Sequence, residues 1–248
     1  LVKNKTINLE FKSLIEKVPN IMQVFDESVI DISEVDKHKL TLLFKYALEN
    51  PTLFPRKKIK ETEDSTESAK EYINKWISSY LIDKRNPAIK KDLKDYGEID
   101  KALIHRVKSY ADIDEYKAMD YLKGHFLYMS AENVNGHILE EFLNSILEKY
   151  GWIWCAGSTY RAVDFCYLDK NKTVLLQVKN KYNTENSSSS EIRANTEIKV
   201  WKRLGRPGKS TPNNPIPTWN VLHDLIDADI NLRNELTEEN YLLYIEKN

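Results

Sequence analysis

The chain has 248 residues, 41% hydrophobic and 30% charged, with a formal net charge of −1. This is ordinary for a soluble globular protein, long enough for one large domain or two modest ones, and its bulk charge gives no hint of nucleic acid. No apolar run approaches the roughly 18–20 residues that span a bilayer, so no membrane role is expected.

In chain order, the opening "LVKNKTINLEFK" lacks the continuous apolar core of a signal peptide. "SEVDKHKLTLLFKYALENP" predicts a helix with Ser33 as cap, Leu40, Leu43, Phe44 and Leu48 as its apolar residues, and a stop at Pro51. "RKKIKETEDSTES" is polar and charge-rich, and reads as an exposed connection. "STESAKEYINKWISSYL" predicts a second helix, capped by Ser65 or Thr66, with Tyr72, Ile73, Trp76, Ile77 and Tyr80 on one face. Further helices are expected around 100–110 and 113–128. Residues 1–125 thus read as a helical N-terminal region for scaffolding, dimerisation or DNA contacts, with no catalytic spacing in it.

The rhythm changes near Asn133. "NVNGHILEEFLNSILEKYG" predicts an amphipathic helix with Val134, Ile138, Leu139, Phe142, Leu143, Ile146 and Leu147 on one stripe and Gly151 as its end. Short β-like runs follow at Trp152–Cys155, Arg161–Leu168 and Val174–Val178, the last two joined by the polar turn "DKNK" into a hairpin. "TEIKVWKRL" fits strand or helix, and "PTWNVLHDLI" starts a helix behind Pro217. Residues 126–248 therefore predict an α/β core, a sheet flanked by helices. Cys155 and Cys166 are the only cysteines, with neither zinc-ligand nor disulfide-framework spacing, which makes a cytoplasmic location the default.

Two residues stand out in the hairpin, Asp164 at the end of "RAVD" and Lys179 after "LLQV". Strand residues alternate faces, so Gln177 and Lys179 project to one side and Val178 to the other, and adjacent strands can bring Asp164, Gln177 and Lys179 to one spot. A carboxylate, a lysine and another oxygen donor form a minimal kit for metal-assisted phosphodiester hydrolysis. A surface ion pair is the plainer alternative.

The Asp-x₁₂-Gln-x-Lys pattern resembles the PD-(D/E)XK nuclease superfamily in a variant with Gln in place of the second acid, and with Val163 where a proline is expected. The resemblance implies a compensating carboxylate from the preceding helix. Gly136, Glu140 and Gly151 match its Gly-x₃-Glu pattern, with Glu141 and Glu132 in reserve. A closer resemblance covers residues 131–219. "QVKN-x₃-TENSSSS-x-IR", with the flanking "AENVNGHILEEFLNSILEKYGWIWCAGSTYRAVDFCYLD" and "PTWN", looks like the SinI/AvaII family of type II restriction endonucleases. It implies a restriction-endonuclease-like core with a central mixed sheet, and a Mg²⁺-dependent homodimer cutting double-stranded DNA at GGWCC (W being A or T). In such a restriction-modification system a methyltransferase acts on the same site without direct contact. Glu140, Asp164 and a carbonyl near Val178 would hold the metal, Gln177 would orient the site and Lys179 would serve the attacking water.

Under this resemblance the polar segment 182–196 is the DNA-reading loop. Asn183, Asn186 and Ser187, Ser188, Ser189 and Ser190 offer short hydrogen-bonding groups, and Arg193 is the best reader of guanine. Residues 161–209 carry a net charge of +6, and Arg161, Lys181, Lys199, Lys202 and Arg203 are expected phosphate contacts. Trp201 and Trp219 could touch DNA, although buried aromatics are commoner. A structure-specific resolvase-type nuclease, a decayed DNA-binding module and an α/β domain with no nucleic-acid role remain open alternatives. Serine hydrolases, P-loop NTPases and zinc enzymes are excluded by missing motifs.

Overall fold

The computed structural model describes residues 5–182, 193, 196–209 and 212–248. In the N-terminal half, strand β1 (Thr6–Leu9) pairs antiparallel with β2 (Lys57–Lys60), Ile7 opposite Ile59. Part of the segment expected to be an exposed connection is therefore a strand, held because Ile59 is its one fully buried side chain. Helices α1 (Lys12–Ile15), α2 (Ile21–Ser28), α3 (Glu34–Glu49) and α4 (Ser65–Arg85) complete this half.

Ser33 caps α3 as expected, accepting from the Asp36 N–H at 3.2 Å. The cap of α4 is Asp64, not Ser65 or Thr66: its carboxylate accepts from the Thr66 N–H at 2.7 Å and the Glu67 N–H at 3.2 Å. A carboxylate beside two orphan N–H groups at the positive end of a helix is the stronger acceptor. The predicted faces of both helices converge on an aromatic cluster, where Phe25 stacks on Phe44 with centroids 4.2 Å apart and Trp76 meets Phe54 edge-on.

That cluster also grips the chain just ahead of Asp164. Trp76 Nε1 donates to Thr159 O at 2.8 Å, the Tyr160 hydroxyl donates to Leu43 O, and the Arg161 N–H donates to Leu53 O at 2.8 Å. Within this loop Gly157, Ser158 and Ala162 have φ of +64°, +56° and +57°. A Cβ on Gly157 would stand 2.0 Å from Ser79 O, so backbone rather than a movable side chain blocks it. Gly157→Ala is expected to cost about 2–4 kcal/mol, combining left-handed strain with overpacking, and urea unfolding will measure it.

After α5 (Lys101–Ala111), α6 (Glu115–Leu147) runs for 33 residues. The two helices read at 113–128 and from Asn133 are one. "SAENVNG" contains no proline, and its Ser, Asn and Gly weaken a helix by only ~0.5–1 kcal/mol each. Anchors offset that: Tyr241 OH donates to Asn135 Oδ1 at 2.7 Å, and Lys94 N donates to Ser130 Oγ at 3.0 Å. The helix passes through residue 125, and one continuous core joins residues of both halves. It closes through a 3₁₀ turn (Glu148–Tyr150) and Gly151, whose φ of +82° is the expected glycine stop.

The main sheet has the order β3–β4–β5–β6, with β3 (Ile153–Trp154), β4 (Phe165–Leu168) and β5 (Thr173–Lys181) antiparallel neighbours and β6 (Lys199–Leu204) parallel to β5. The predicted hairpin is present, but its first strand starts at Phe165; the residues from Arg161 to Asp164 are irregular. The ambiguous "TEIKVWKRL" contributes β6. Helices α7 (Trp219–Leu225), α8 (Ile230–Glu235) and α9 (Glu238–Lys247) follow in the described residues. Phe142 of α6 packs against Trp219 and Tyr241, so helices flank a mixed sheet as the sequence implied. No helix among the described residues is long and apolar enough to cross a membrane.

Candidate active site

Three elements meet at the β5 side of α6. The apolar stripe of α6 buries Leu139 and Leu143 and sets Glu140 at its margin, where Glu140 Oε2 accepts from the Trp154 indole N–H at 3.0 Å. Asp164 is held by backbone on both sides: its N–H donates to Leu176 O at 2.9 Å and its carbonyl accepts from Cys155 N at 2.8 Å. Its side chain then reaches β5, with Oδ2 accepting from the Val178 N–H at 2.7 Å. The N–H and C=O of one strand residue point the same way, so the Val178 carbonyl lies on the flank where Asp164 sits.

The Lys179 side chain, on the opposite face from Val178, makes no hydrogen bond or ion pair among the described residues. Its charge nevertheless favours the ionised forms of both Asp164 and Glu140. Gly136, His137, Glu140, Val178 and Lys179 line an open cleft of about 390 Å³. Burial pushes Glu140 well above the usual carboxylate range. The Asp164 charge pushes it further, and the Trp154 hydrogen bond and Lys179 only partly oppose this. Burial likewise raises Asp164, against the Val178 N–H, Lys179 and His137. Two carboxylates that resist ionising together describe a place short of positive charge.

No group of three His, Cys, Asp or Glu side chains among the described residues could hold a metal alone. Two carboxylates and a main-chain carbonyl are nonetheless a donor set suited to Mg²⁺, which binds through one or two carboxylates and keeps several waters. Gln177 is buried, and its Oε1 accepts from the Arg193 guanidinium, so that oxygen is engaged. Of the reserve acids, Glu141 is buried and accepts from the Ala88 and Ile89 N–H groups, which secures the turn before α5. Glu132 pairs with Lys181 at the outer end of the cleft.

The expected DNA contacts divide. Lys181 stands at the cleft mouth. Lys202 Nζ donates to Tyr182 O at 3.2 Å and Lys199 Nζ to Leu225 O at 2.7 Å. Arg161 lines a separate pocket beside Arg56. Asn183, Asn186 and Ser187–Ser190 lie outside the described residues. Arg203 departs from the expectation of a phosphate contact. It is 7% exposed, pairs with Glu238, donates to Asn180 Oδ1 at 2.8 Å and sits 5.0 Å above the Tyr241 ring. It shares the inward face of β6 with Trp201, and that period of two was legible. Arg203→Ala should cost about 1.5–3 kcal/mol in unfolding free energy, because it removes a charge-assisted hydrogen bond from the half-buried Glu238 and leaves Asn180 Oδ1 without its donor. Trp201 and Trp219 are buried against each other, 4.8 Å between centroids.

Sequence reasoning passed over three contributors. Trp154 fixes Glu140 from the strand next to β4. Asp83 adds negative charge near Glu140. His137, one helical turn before Glu140, was detectable from i, i+3 spacing.

A helix-borne acid near an acid just ahead of β4 and a lysine on β5, on a mixed sheet flanked by helices, places this molecule among restriction-endonuclease-like α/β proteins. The profile of the SinI restriction endonuclease family matches residues 4–247, and the chain belongs to that family. It is 41% identical over 124 residues to the type II restriction enzyme SinI of Salmonella infantis, covering 49% of each chain. It is 57% identical over 81 residues to the type II restriction enzyme Eco47I of Escherichia coli, covering 32% of this chain and 35% of that one. The matched segments thus span about a third to a half of these relatives' lengths.

Proposed function

We propose that this chain is a Mg²⁺-dependent type II endonuclease of the PD-(D/E)XK kind. As a homodimer it would cut double-stranded DNA at GGWCC, in a restriction-modification system whose methyltransferase protects the same site. The observation that supports the reading is that Glu140, Val178 and Lys179 line one open cleft while Asp164 accepts from the Val178 N–H behind it, close enough for its charge to act on Glu140. Glu140, Asp164 and the Val178 carbonyl would hold the metal. When bound, Mg²⁺ supplies charge to the scissile phosphate and lowers the pKa of its water.

The remaining work falls to the chain. Trp154 keeps the Glu140 carboxylate turned toward the cleft, and the Val178 N–H does the same for Asp164. Lys179, whose side chain has no partner among the described residues to satisfy, directs its ammonium to the attacking water or the phosphate oxygens. Gln177 is neutral where the wider superfamily has an acid. In this reading its role is to orient the site by holding the Arg193 guanidinium beside it. Arg193 then reads guanine, while Lys181, Lys199 and Lys202 position the backbone. Residues 1–125 serve as buttress to the loop before Asp164, and 126–248 carry the nuclease core.

Digestion of a plasmid of known sequence, with Mg²⁺ and with a chelator, tests this directly. Discrete fragments bounded by GGWCC, with 5′-phosphate and 3′-hydroxyl ends and only in Mg²⁺, are expected. Discrete fragments at another palindrome would correct the target alone. Smearing or junction-only cutting indicates a resolvase-type enzyme, and no cutting under any divalent ion indicates a decayed DNA-binding module.

A further inference from the structure

The antiparallel pair formed by α5 and the first half of α6 stands apart from the rest of the molecule. α5 has no buried residue, and Ala118 is the only buried one in α6 before Ile138. Neither α5 nor Ala118 belongs to the hydrophobic core. Yet α5 is amphipathic. Leu103, Val107 and Tyr110 fall at i, i+4 and i+7, forming one stripe, and are 62%, 40% and 80% exposed. Eleven residues are too few for a stable helix without packing. This stripe is an apolar face still short of a partner.

Charge narrows what covers it. Residues 100–131 hold five Lys or Arg and five Asp or Glu, a net charge of zero. An arm built to grip DNA would be basic, whereas a balanced, aromatic-rich one suits a surface of its own composition. Area points the same way. Tyr110, Tyr116, Tyr121 and Tyr128 are between 53% and 86% exposed. At ~200 Å² per aromatic side chain they display on the order of 600 Å². Tyr116 and Leu127 lie on a different flank of α6 from Tyr121 and Tyr128. A single face of the hairpin, the α5 stripe with Tyr121 and Tyr128, displays on the order of 500–600 Å² of this area, which matches the apolar share of the ~800 Å² that each partner contributes to a standard interface.

We propose that a second copy of this chain covers this arm. The α5 stripes face each other across a two-fold axis, so that two α5–α6 hairpins close into an intermolecular four-helix bundle. This rests on the homodimer reading above and adds the surface that makes it. Since the arm joins α6, the helix bearing Glu140, such a bundle would tie the two cleavage sites to one rigid frame.

Sedimentation equilibrium of the full chain, with and without a GGWCC duplex, tests it. The wild type should sediment at twice its 29.0 kDa mass. Leu103→Glu with Val107→Glu should shift the dimer dissociation constant at least ~100-fold toward monomer, with the thermal transition preserved because neither side chain belongs to the core. A dimer unaffected by the double variant overturns the surface while leaving the homodimer intact. A wild type that is monomeric both free and on DNA overturns both. Loss of duplex binding with no change in mass assigns the arm to DNA and overturns the proposal. Should the double variant fold poorly, Tyr110→Cys gives an independent reading: bis-maleimide treatment should yield a dimer-mass band at nanomolar protein, and its absence overturns the proposal.

Discussion

Replacing Lys179 with alanine is expected to lower the rate of specific cleavage by ~10²–10³-fold, the usual loss when one charge-stabilising donor is removed from a hydrolytic site. The fold should survive. The Lys179 side chain makes no hydrogen bond among the described residues, and its backbone is held in β5 by pairing with β6. Its loss leaves the two carboxylates with less compensation, so a small drop in stability at neutral pH accompanies the kinetic effect. Lys179→Met separates shape from charge, since it keeps most of the stem and should be as inactive as alanine. Single-turnover cleavage at saturating enzyme, beside a gel-shift titration without divalent ion, distinguishes a lost chemical step from lost affinity. A Lys179→Ala enzyme cutting within tenfold of wild type would remove this residue from the mechanism.

The second large effect runs in opposite directions for function and stability. Glu140→Gln should abolish cleavage to beyond ~10³-fold, because the metal loses one of two carboxylates. The metal-free variant should nonetheless be more stable than wild type at pH 7–8. The sign follows from linkage. Burial and Asp164 raise the folded-state pKa of Glu140 above its ordinary 4.5. Between that ordinary value and the raised one, the folded state holds a proton that the unfolded chain has released, so stability falls as pH rises through the window. An amide removes that penalty. A higher Tm for the metal-free variant than for wild type is expected at pH 7–8, with the difference shrinking toward pH 5. Added Mg²⁺ should raise the wild-type Tm by mass action and move the variant much less. Differential scanning calorimetry across pH 5–8, with and without Mg²⁺, reads both. A metal-free Glu140→Gln protein less stable than wild type throughout would show that Glu140 is structural.

These outcomes depend on features the chain reveals unequally. Local pattern alone determined the faces of α3 and α4, the apolar stripe of α6 and the hairpin about "DKNK" with Asp164 and Lys179 in it, because each rests on a period or spacing within about 20 residues; Glu140 came from the family resemblance. Strand alternation could have flagged Arg203 as inward-facing, and was missed because a cationic side chain reads by default as a surface one. Other features had no local signature. Burial of β2 depends on Ile59 meeting a core assembled from distant helices. The union of the two predicted helices into α6 depends on anchors as remote as Tyr241 and Lys94.

At the site, only the assembled molecule decided which glutamate faces the cleft. Glu140 and Glu141 are adjacent in sequence, and packing turned one to the cleft and the other to the N–H groups of Ala88 and Ile89. Trp154, Asp83 and the grip of Trp76 and Tyr160 on the loop before Asp164 belong to the same class. Side-chain identity and spacing state which chemistry is available. Burial, and with it the competition between desolvation and charge that sets Glu140 against Asp164, exists only once segments far apart in the chain have closed around one another.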